Sequence, residues 1–258
     1  MTMNLGKILT GKVLRKVPEV TILFWIIKLL TTAMGESTSD FMVHRLDPVL
    51  AVIIGGIGFA IAITIQLHAK KYVPWIYWLT VTMVAIFGTM AADVVHIALG
   101  VPYLVSSLAF AVALGVIFFA WKRTESTLSI HSIFTPRREL FYWLTVITTF
   151  ALGTALGDMT AVTLNLGYFT SGILFAVLLI TPLLAYKFSG ANEVLTFWAA
   201  YIMTRPLGAS FADWFGRTPD MGGVGFGTGR TSIVLTILII VLVGYLTFRR
   251  RIANGSQK

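Results

Sequence analysis

The sequence predicts an all-α integral membrane protein: eight transmembrane helices forming four parallel two-helix repeats, with pseudo-fourfold or pair-of-pairs symmetry about the membrane normal. Three observations carry that expectation. Of the 258 residues, 57% are hydrophobic and only 12% charged, about half the charged share of an ordinary soluble domain. The apolar residues fall in runs that match a bilayer crossing of roughly 20 residues. An aromatic-Trp motif also returns four times at fixed internal spacing.

In chain order the runs lie at 20–43, 49–69, 74–97, 101–121, 140–163, 168–187, 194–216 and 231–249. Residues 1–19 hold Lys7, Lys12, Arg15 and Lys16 without a long apolar core, so they read as a cytoplasmic segment and not as a cleaved signal peptide. Residues 20–250 then form one membrane domain, with repeats at 20–71, 74–123, 138–187 and 194–250, and 251–258 form a cytoplasmic tail. Asp47 before Pro48 marks the second helix start, the acid as N-cap and the proline in the first turn.

Eight crossings put both termini on one side, and charge chooses the side. Fifteen of the 20 basic residues lie in the terminal segments or the even-numbered connections, against Arg45, Arg217 and Arg230 in the odd ones, so both termini are expected in the cytoplasm. The formal charge of +9 would point to nucleic acid in a soluble protein; here it is a topology signal, and no nucleic-acid partner is expected. The absence of cysteine excludes disulfides, thiolate nucleophiles and Cys-bound zinc or iron–sulfur centres.

Aligned on tryptophan, the copies read FWIIKLLTTAMGESTSD (24–40), YWLTVTMVAIFGTMAAD (77–93), YWLTVITTFALGTALGD (142–158) and FWAAYIMTRPLGASFAD (197–213). Trp25, Trp78, Trp143 and Trp198 are each followed ten residues later by Gly35, Gly88, Gly153 or Gly208, and fifteen later by Asp40, Asp93, Asp158 or Asp213. The tryptophans are 53, 65 and 55 residues apart, so each unit is one motif helix plus one plainer helix. An even number of crossings per unit keeps all copies parallel, unlike the inverted repeats of many transporters.

These motifs resemble a bacterial membrane family built from four tandem copies of a repeat of unknown function (number 347), each with two membrane helices and a characteristic tryptophan. The resemblance covers about 18–250. It implies the repeat architecture and a multi-pass protein of the bacterial inner membrane, and it brings no catalytic or substrate assignment.

At about 100° per residue, Trp, Gly, the small residue before Asp, and Asp itself share one arc of about 140°. The opposite arc of the first copy, Ile27, Leu30 and Met34, suits lipid. The pairs Gly35/Ser39, Gly88/Ala92, Gly153/Gly157 and Gly208/Ala212 are small-xxx-small steps for close helix packing, or the thin wall of a permeation path. The tryptophans read as helix-packing residues or inner-interface anchors. An acid within a span costs at least about 2.5 kcal/mol unless it finds a partner, a cavity or a proton. The four aspartates lie near the outer helix ends, as caps and interface anchors or as a carboxylate ring around a hydrated vestibule.

Eleven residues after Trp the copies diverge, into Glu36, Thr89, Thr154 and Ala209. Glu36 and Asp40 stack four residues apart; such a pair shares a proton or binds a cation, or else pairs with Lys28 or Arg205. This pair is the candidate metal site. Lys28 and Arg205 lie near mid-bilayer, as gating or counter-ion residues or as locks on a neutral bundle; five acids against these two bases leave a net −3 if all are charged, a surplus that means cation affinity or bound protons. Pro206 is expected to bend the fourth motif helix. His44 and His96 lie on the faces of Asp40 and Asp93, either paired with them or hydrated at the interface. The five-glycine segment 217–230 reads as a disordered loop or a flexible lid.

An enzyme is not expected: there is no H-E-x-x-H, no G-x-S-x-G and no cysteine. Carboxylates and hydroxyls without thiolates favour a hard cation. The expectation is therefore a small-cation transporter, a proton-coupled exporter of a divalent metal such as Mn²⁺ or Mg²⁺, with the lipid bilayer and the cation as partners and no cofactor. A carrier of an organic or aromatic solute, stacked on the tryptophans, is the alternative, and a non-transporting scaffold or sensor is a third. Oligomeric state is left open.

Overall fold

The structure is a computed structural model describing residues 15–255; residues 1–14, with Lys7 and Lys12, and 256–258, with Lys258, lie outside the described residues. The described residues form eight long α-helices and no strand. They are α1 (Ile22–Arg45), α2 (Pro48–His68), α3 (Pro74–Asp93), α4 (Tyr103–Glu125), α5 (Pro136–Asp158), α6 (Gly167–Ser189), α7 (Glu193–Gly216) and α8 (Thr228–Gly255). The last helix thus continues past residue 250, into the segment expected to be a tail.

The helix starts follow from side chains that accept the first unpaired N–H groups. Asp47 accepts from the Val49 and Leu50 amides at 3.0 and 3.1 Å, with Pro48 in the first turn. Asn192 does the same for Val194 and Leu195 at the start of α7. Thr21 and Thr135 cap α1 and α5. After Asp93 and Asp158, α3 and α5 widen into single π-helical turns, Val94–Ala98 and Met159–Thr163. The chain of α7 stays helical through Pro206.

The four motif helices touch in a closed circuit, α1 on α3, α3 on α5, α5 on α7 and α7 on α1. Two layers of contacts repeat around it. In the first, the aromatic before each Trp packs on the Trp of the next copy: Phe24 on Trp78 at 5.8 Å between ring centres, Tyr77 on Trp143 at 5.6 Å, Tyr142 on Trp198 at 6.3 Å and Phe197 on Trp25 at 5.7 Å. In the second, each motif glycine receives the residue seven after Trp from the next copy. A β-carbon on Gly35 would lie 2.8 Å from the Ala85 carbonyl carbon, on Gly88 2.9 Å from Phe150 Cβ, on Gly153 2.6 Å from Arg205 Cβ, and on Gly208 2.8 Å from Thr32 Cβ. Only glycine leaves room for that approach.

The plain helices lie outside the circuit. Each packs chiefly on the motif helix of the following repeat, α2 on α3, α4 on α5 and α6 on α7, and α8 returns to α1. Their outward residues, such as Ile53, Ile57, Leu108, Val112, Val177 and Ile237, are exposed. The arc of α1 expected to face lipid does not: Ile27 and Met34 are buried. The reason is α8, whose Ser232 hydroxyl meets Thr38 of that same arc at 2.6 Å.

Six helices, α2 to α6 and α8, are long and apolar enough to cross a membrane. The protein is therefore a multi-pass membrane protein. The two that fall short, α1 and α7, are as long as the others but carry Lys28, Glu36 and Asp40, and Arg205 and Asp213.

The glycine layer makes a direct prediction. Overpacking typically costs about 1–3 kcal/mol, so Gly35→Ala and Gly88→Ala are expected to lower the thermal midpoint of the purified protein in detergent. Gly115→Ala on α4 has open space within 4 Å and should leave it unchanged. Equal midpoints for all three would mean the circuit is looser than described.

Candidate functional site

Positions seven and eleven after Trp are one helical turn apart and face the inside of the circuit. In the fourth copy the inner turn is Arg205, with no more than 1% of its side chain exposed. The residues eleven after Trp in the other three copies converge on it. Nη2 of Arg205 donates to Glu36 Oε2 at 2.6 Å and to Thr154 Oγ1 at 2.7 Å, and also contacts Thr89 Oγ1. Both threonine hydroxyls donate backward to their own helices, to the Phe150 and Ala85 carbonyls, which leaves their lone pairs for the guanidinium. The fourth copy has Ala209 at this level and so adds no competing group.

Lys28 lies further toward the tryptophan end. Its ammonium is buried without a hydrogen-bond partner among the described residues. It sits 4.0 Å from the centre of the Phe150 ring and 4.3 Å from that of Tyr201, a cation–π arrangement whose attraction grows when water is excluded. The Arg205 guanidinium lies 5.4 Å from the same Phe150 ring. One aromatic ring thus touches both interior cations.

At the other end, Arg217, just beyond α7, joins two of the motif aspartates. Its Nε donates to Asp213 at 3.1 Å and its Nη2 lies 2.9 Å from Asp40. The sequence placed Arg217 among loop charges, although its position four after Asp213 on a helix was the available signal. The segment 217–230 is neither a disordered loop nor a loose lid: it folds back on α7. Val224, Gly225 and Phe226 donate main-chain bonds to the Trp214, Arg217 and Phe215 carbonyls at 2.7, 2.8 and 3.0 Å. Gly222 and Gly225 take left-handed φ values of 81° and 83°, and a β-carbon on Gly223 would overlap the Arg217 carbonyl. The glycines therefore hold Arg217 in place over the acids.

Asp40 and Asp213 are buried; Asp93 and Asp158 are half-buried and make no hydrogen bond or ion pair among the described residues. Asp93 lies within electrostatic reach of Glu36 and Asp213, and Asp158 of all four other acids. With Arg217 counted, five acidic side chains stand against three basic ones, a formal −2 if all are charged, against the formal −3 of the sequence count. From Lys28 to Asp40 this column runs about 18 Å along α1 at 1.5 Å per residue. Among the described residues no three His, Asp or Glu side chains lie close enough to hold a metal ion. Glu36 and Asp40, the expected metal pair, are each turned to an arginine.

The histidines do not join their acids. His44 bonds to the main-chain carbonyl of Asp40 at 2.6 Å, and His96 to Val101 and Ser106 while packing on Tyr103. The π-helical turn after Asp93 carries His96 toward α4. At the tryptophan end the axis is filled. Tyr77 and Tyr142 are hydrogen-bonded through their hydroxyls. Trp78, Trp143 and Trp198 are buried, and Trp25 half-buried, so they do not stand at a lipid interface as anchors. Beyond them Lys16 pairs with fully buried Glu139 at 2.5 Å, and Gln66 donates to the same carboxylate at 2.9 Å. That lock was not foreseen, because Glu139 opens a helix where exposed acids are ordinary.

The fold defines a multi-pass membrane protein made of four tandem helical-pair units around a charged axis. The chain belongs to the family described as Repeat of Unknown Function (DUF347), matched four times, at residues 23–72, 76–127, 141–192 and 196–251. No curated protein and no solved structure matches it.

Breaking a buried pair by removing one partner typically costs about 3–5 kcal/mol, because the other charge is left uncompensated. Arg205→Gln is thus expected to be strongly destabilising, and Glu36→Gln added to it should recover part of the loss. A double-mutant cycle from thermal or denaturant unfolding measures the coupling, and additive effects would mean the pair is not the interaction that holds the axis.

Proposed function

We propose that the protein is a small-cation transporter of the bacterial inner membrane, a proton-coupled exporter of a divalent metal such as Mn²⁺ or Mg²⁺. All eight helices cross the membrane with both termini in the cytoplasm, and the four repeats are related by a pseudo-fourfold axis along the membrane normal. The burial of α1 and α7 inside a shell of apolar helices supports their crossing despite their charges, since polar side chains at membrane depth are tolerated where protein covers them. The recurrence of the aromatic and glycine contacts around the circuit supports the axis.

The observation that carries the functional reading is the column of five carboxyls, three of them paired with buried Arg205 or half-buried Arg217 and two, Asp93 and Asp158, within electrostatic reach of them. Arg205 and Arg217 then act as resident counter-ions. A metal ion gains carboxylate ligands only when Arg217 leaves Asp40 and Asp213, or when Glu36 parts from Arg205, so the empty site is charge-balanced in part by the protein itself. Protons and the metal compete for the same acids, which is the basis of exchange. The aromatic-solute reading needs free tryptophan faces, and three of the four are buried against neighbouring rings.

The test is flux in proteoliposomes across Mg²⁺, Mn²⁺, Zn²⁺, Na⁺ and a pH dye, for wild type and Glu36→Gln/Asp40→Asn. Ion movement lost in that variant and kept in Trp78→Phe is expected. No flux of any ion from folded, inserted protein, or flux indifferent to the carboxylates, would sink the reading in favour of an organic solute or a scaffold. Arg217→Gln, which frees two carboxylates, is expected to tighten the apparent affinity for the cation at the aspartate end by about tenfold; an unchanged affinity would remove Arg217 from the mechanism.

A further inference from the structure

Away from the axis, a cavity of about 1030 Å³ opens between the start of α1 and the end of α8. We infer that it binds the headgroup of an anionic phospholipid. Four cations line it, Arg15, Lys71, Arg249 and Arg250, against the single acid Glu19. None of the four forms an ion pair among the described residues.

The basic wall is built into the fold. Arg250 donates to the Tyr72 carbonyl at 2.8 Å and its guanidinium lies 4.6 Å from the Tyr72 ring centre, while the Tyr72 amide donates to the Arg15 carbonyl at 2.9 Å. The other wall is apolar and open: Ile22, Ile26 and Tyr245 line the same cavity and are 80%, 43% and 51% exposed. Their surface continues the exposed face of α8, with Val241, Ile237 and Val234 further along it.

Uncompensated cations at the ends of membrane helices, beside an exposed apolar strip, match a phosphate headgroup with its acyl chains lying along the helices. A soluble anion would satisfy the cations and leave the strip bare. Residues 1–14 carry Lys7 and Lys12 and no acid, so they add no negative charge to offset the wall.

Native mass spectrometry of the purified protein with added phosphatidylglycerol or phosphatidylcholine tests this, with inorganic phosphate as competitor. Phosphatidylglycerol should be retained at least tenfold more than phosphatidylcholine, and phosphate at millimolar concentration should not displace it. Lys71→Gln/Arg249→Gln should lower that retention about tenfold or more, whereas Arg123→Gln/Arg137→Gln should not. Thermal unfolding of each variant separates lost binding from lost fold, and the wild-type comparison stands without any variant. Equal retention of the two lipids, or no loss in the Lys71/Arg249 variant, would overturn the inference. Displacement by phosphate alone would overturn the lipid in favour of a free anion.

Discussion

A guanidinium in the middle of an apolar bundle must be paired and hydrogen-bonded or it is prohibitively expensive to bury. Arg205 is such a group, and the surrounding structure answers its demand at Nη2, while Nε and Nη1 are buried without a hydrogen-bond partner among the described residues. Its neutralising acid, Glu36, sits on α1, and its two hydroxyl acceptors sit on α3 and α5. Those helices can supply acceptors only if all four backbones come close together, which is what the motif glycines permit. A core so polar cannot face lipid, and the four plain helices cover it.

The repeats keep Trp, Gly and Asp in every copy and differ where they meet on the axis. Three, seven and eleven residues after Trp stand Lys28, Phe150, Arg205 and Glu36, each in a single copy. The shared positions build a closed frame, and the unshared ones give it charge, direction and asymmetry. The loop that follows α7 repeats the division of labour: its glycines make a tight fold, and that fold presents Arg217 to Asp40 and Asp213.

Most of the frame was legible in the sequence, because hydropathy and the four-copy alignment report on features that are local and repeated. The Asp47 and Pro48 start, the eight helices and the small steps at the motif glycines follow from spacing alone, while the residue that each glycine receives does not. The partners of the charges were only narrowed, because they come from other helices: the spacing offers Glu36 a cation shared with Asp40, or Lys28, or Arg205, and nothing in α1 selects Arg205. Ile27 and Met34 look like lipid-facing residues on a helical wheel, and only the return of α8 to α1 buries them. Arg217 and Glu139 carried ordinary loop and first-turn signatures. The π-helical turn that takes His96 away from Asp93 has no simple pattern in the chain.

The packing of α2, α4 and α6 on the repeats that follow them, and of α8 back on the first, also sets a schedule for biosynthesis. The chain emerges with α1 first, yet the partners of α1 include α7 and α8, the last to be made. Until α7 has left the ribosome, Glu36 lacks the Arg205 guanidinium, and until α8 follows, the back of α1 lacks its cover. The first helix of the circuit must therefore wait, sheltered by the insertion machinery or held at the interface, and the circuit closes only once α7 and α8 have been made.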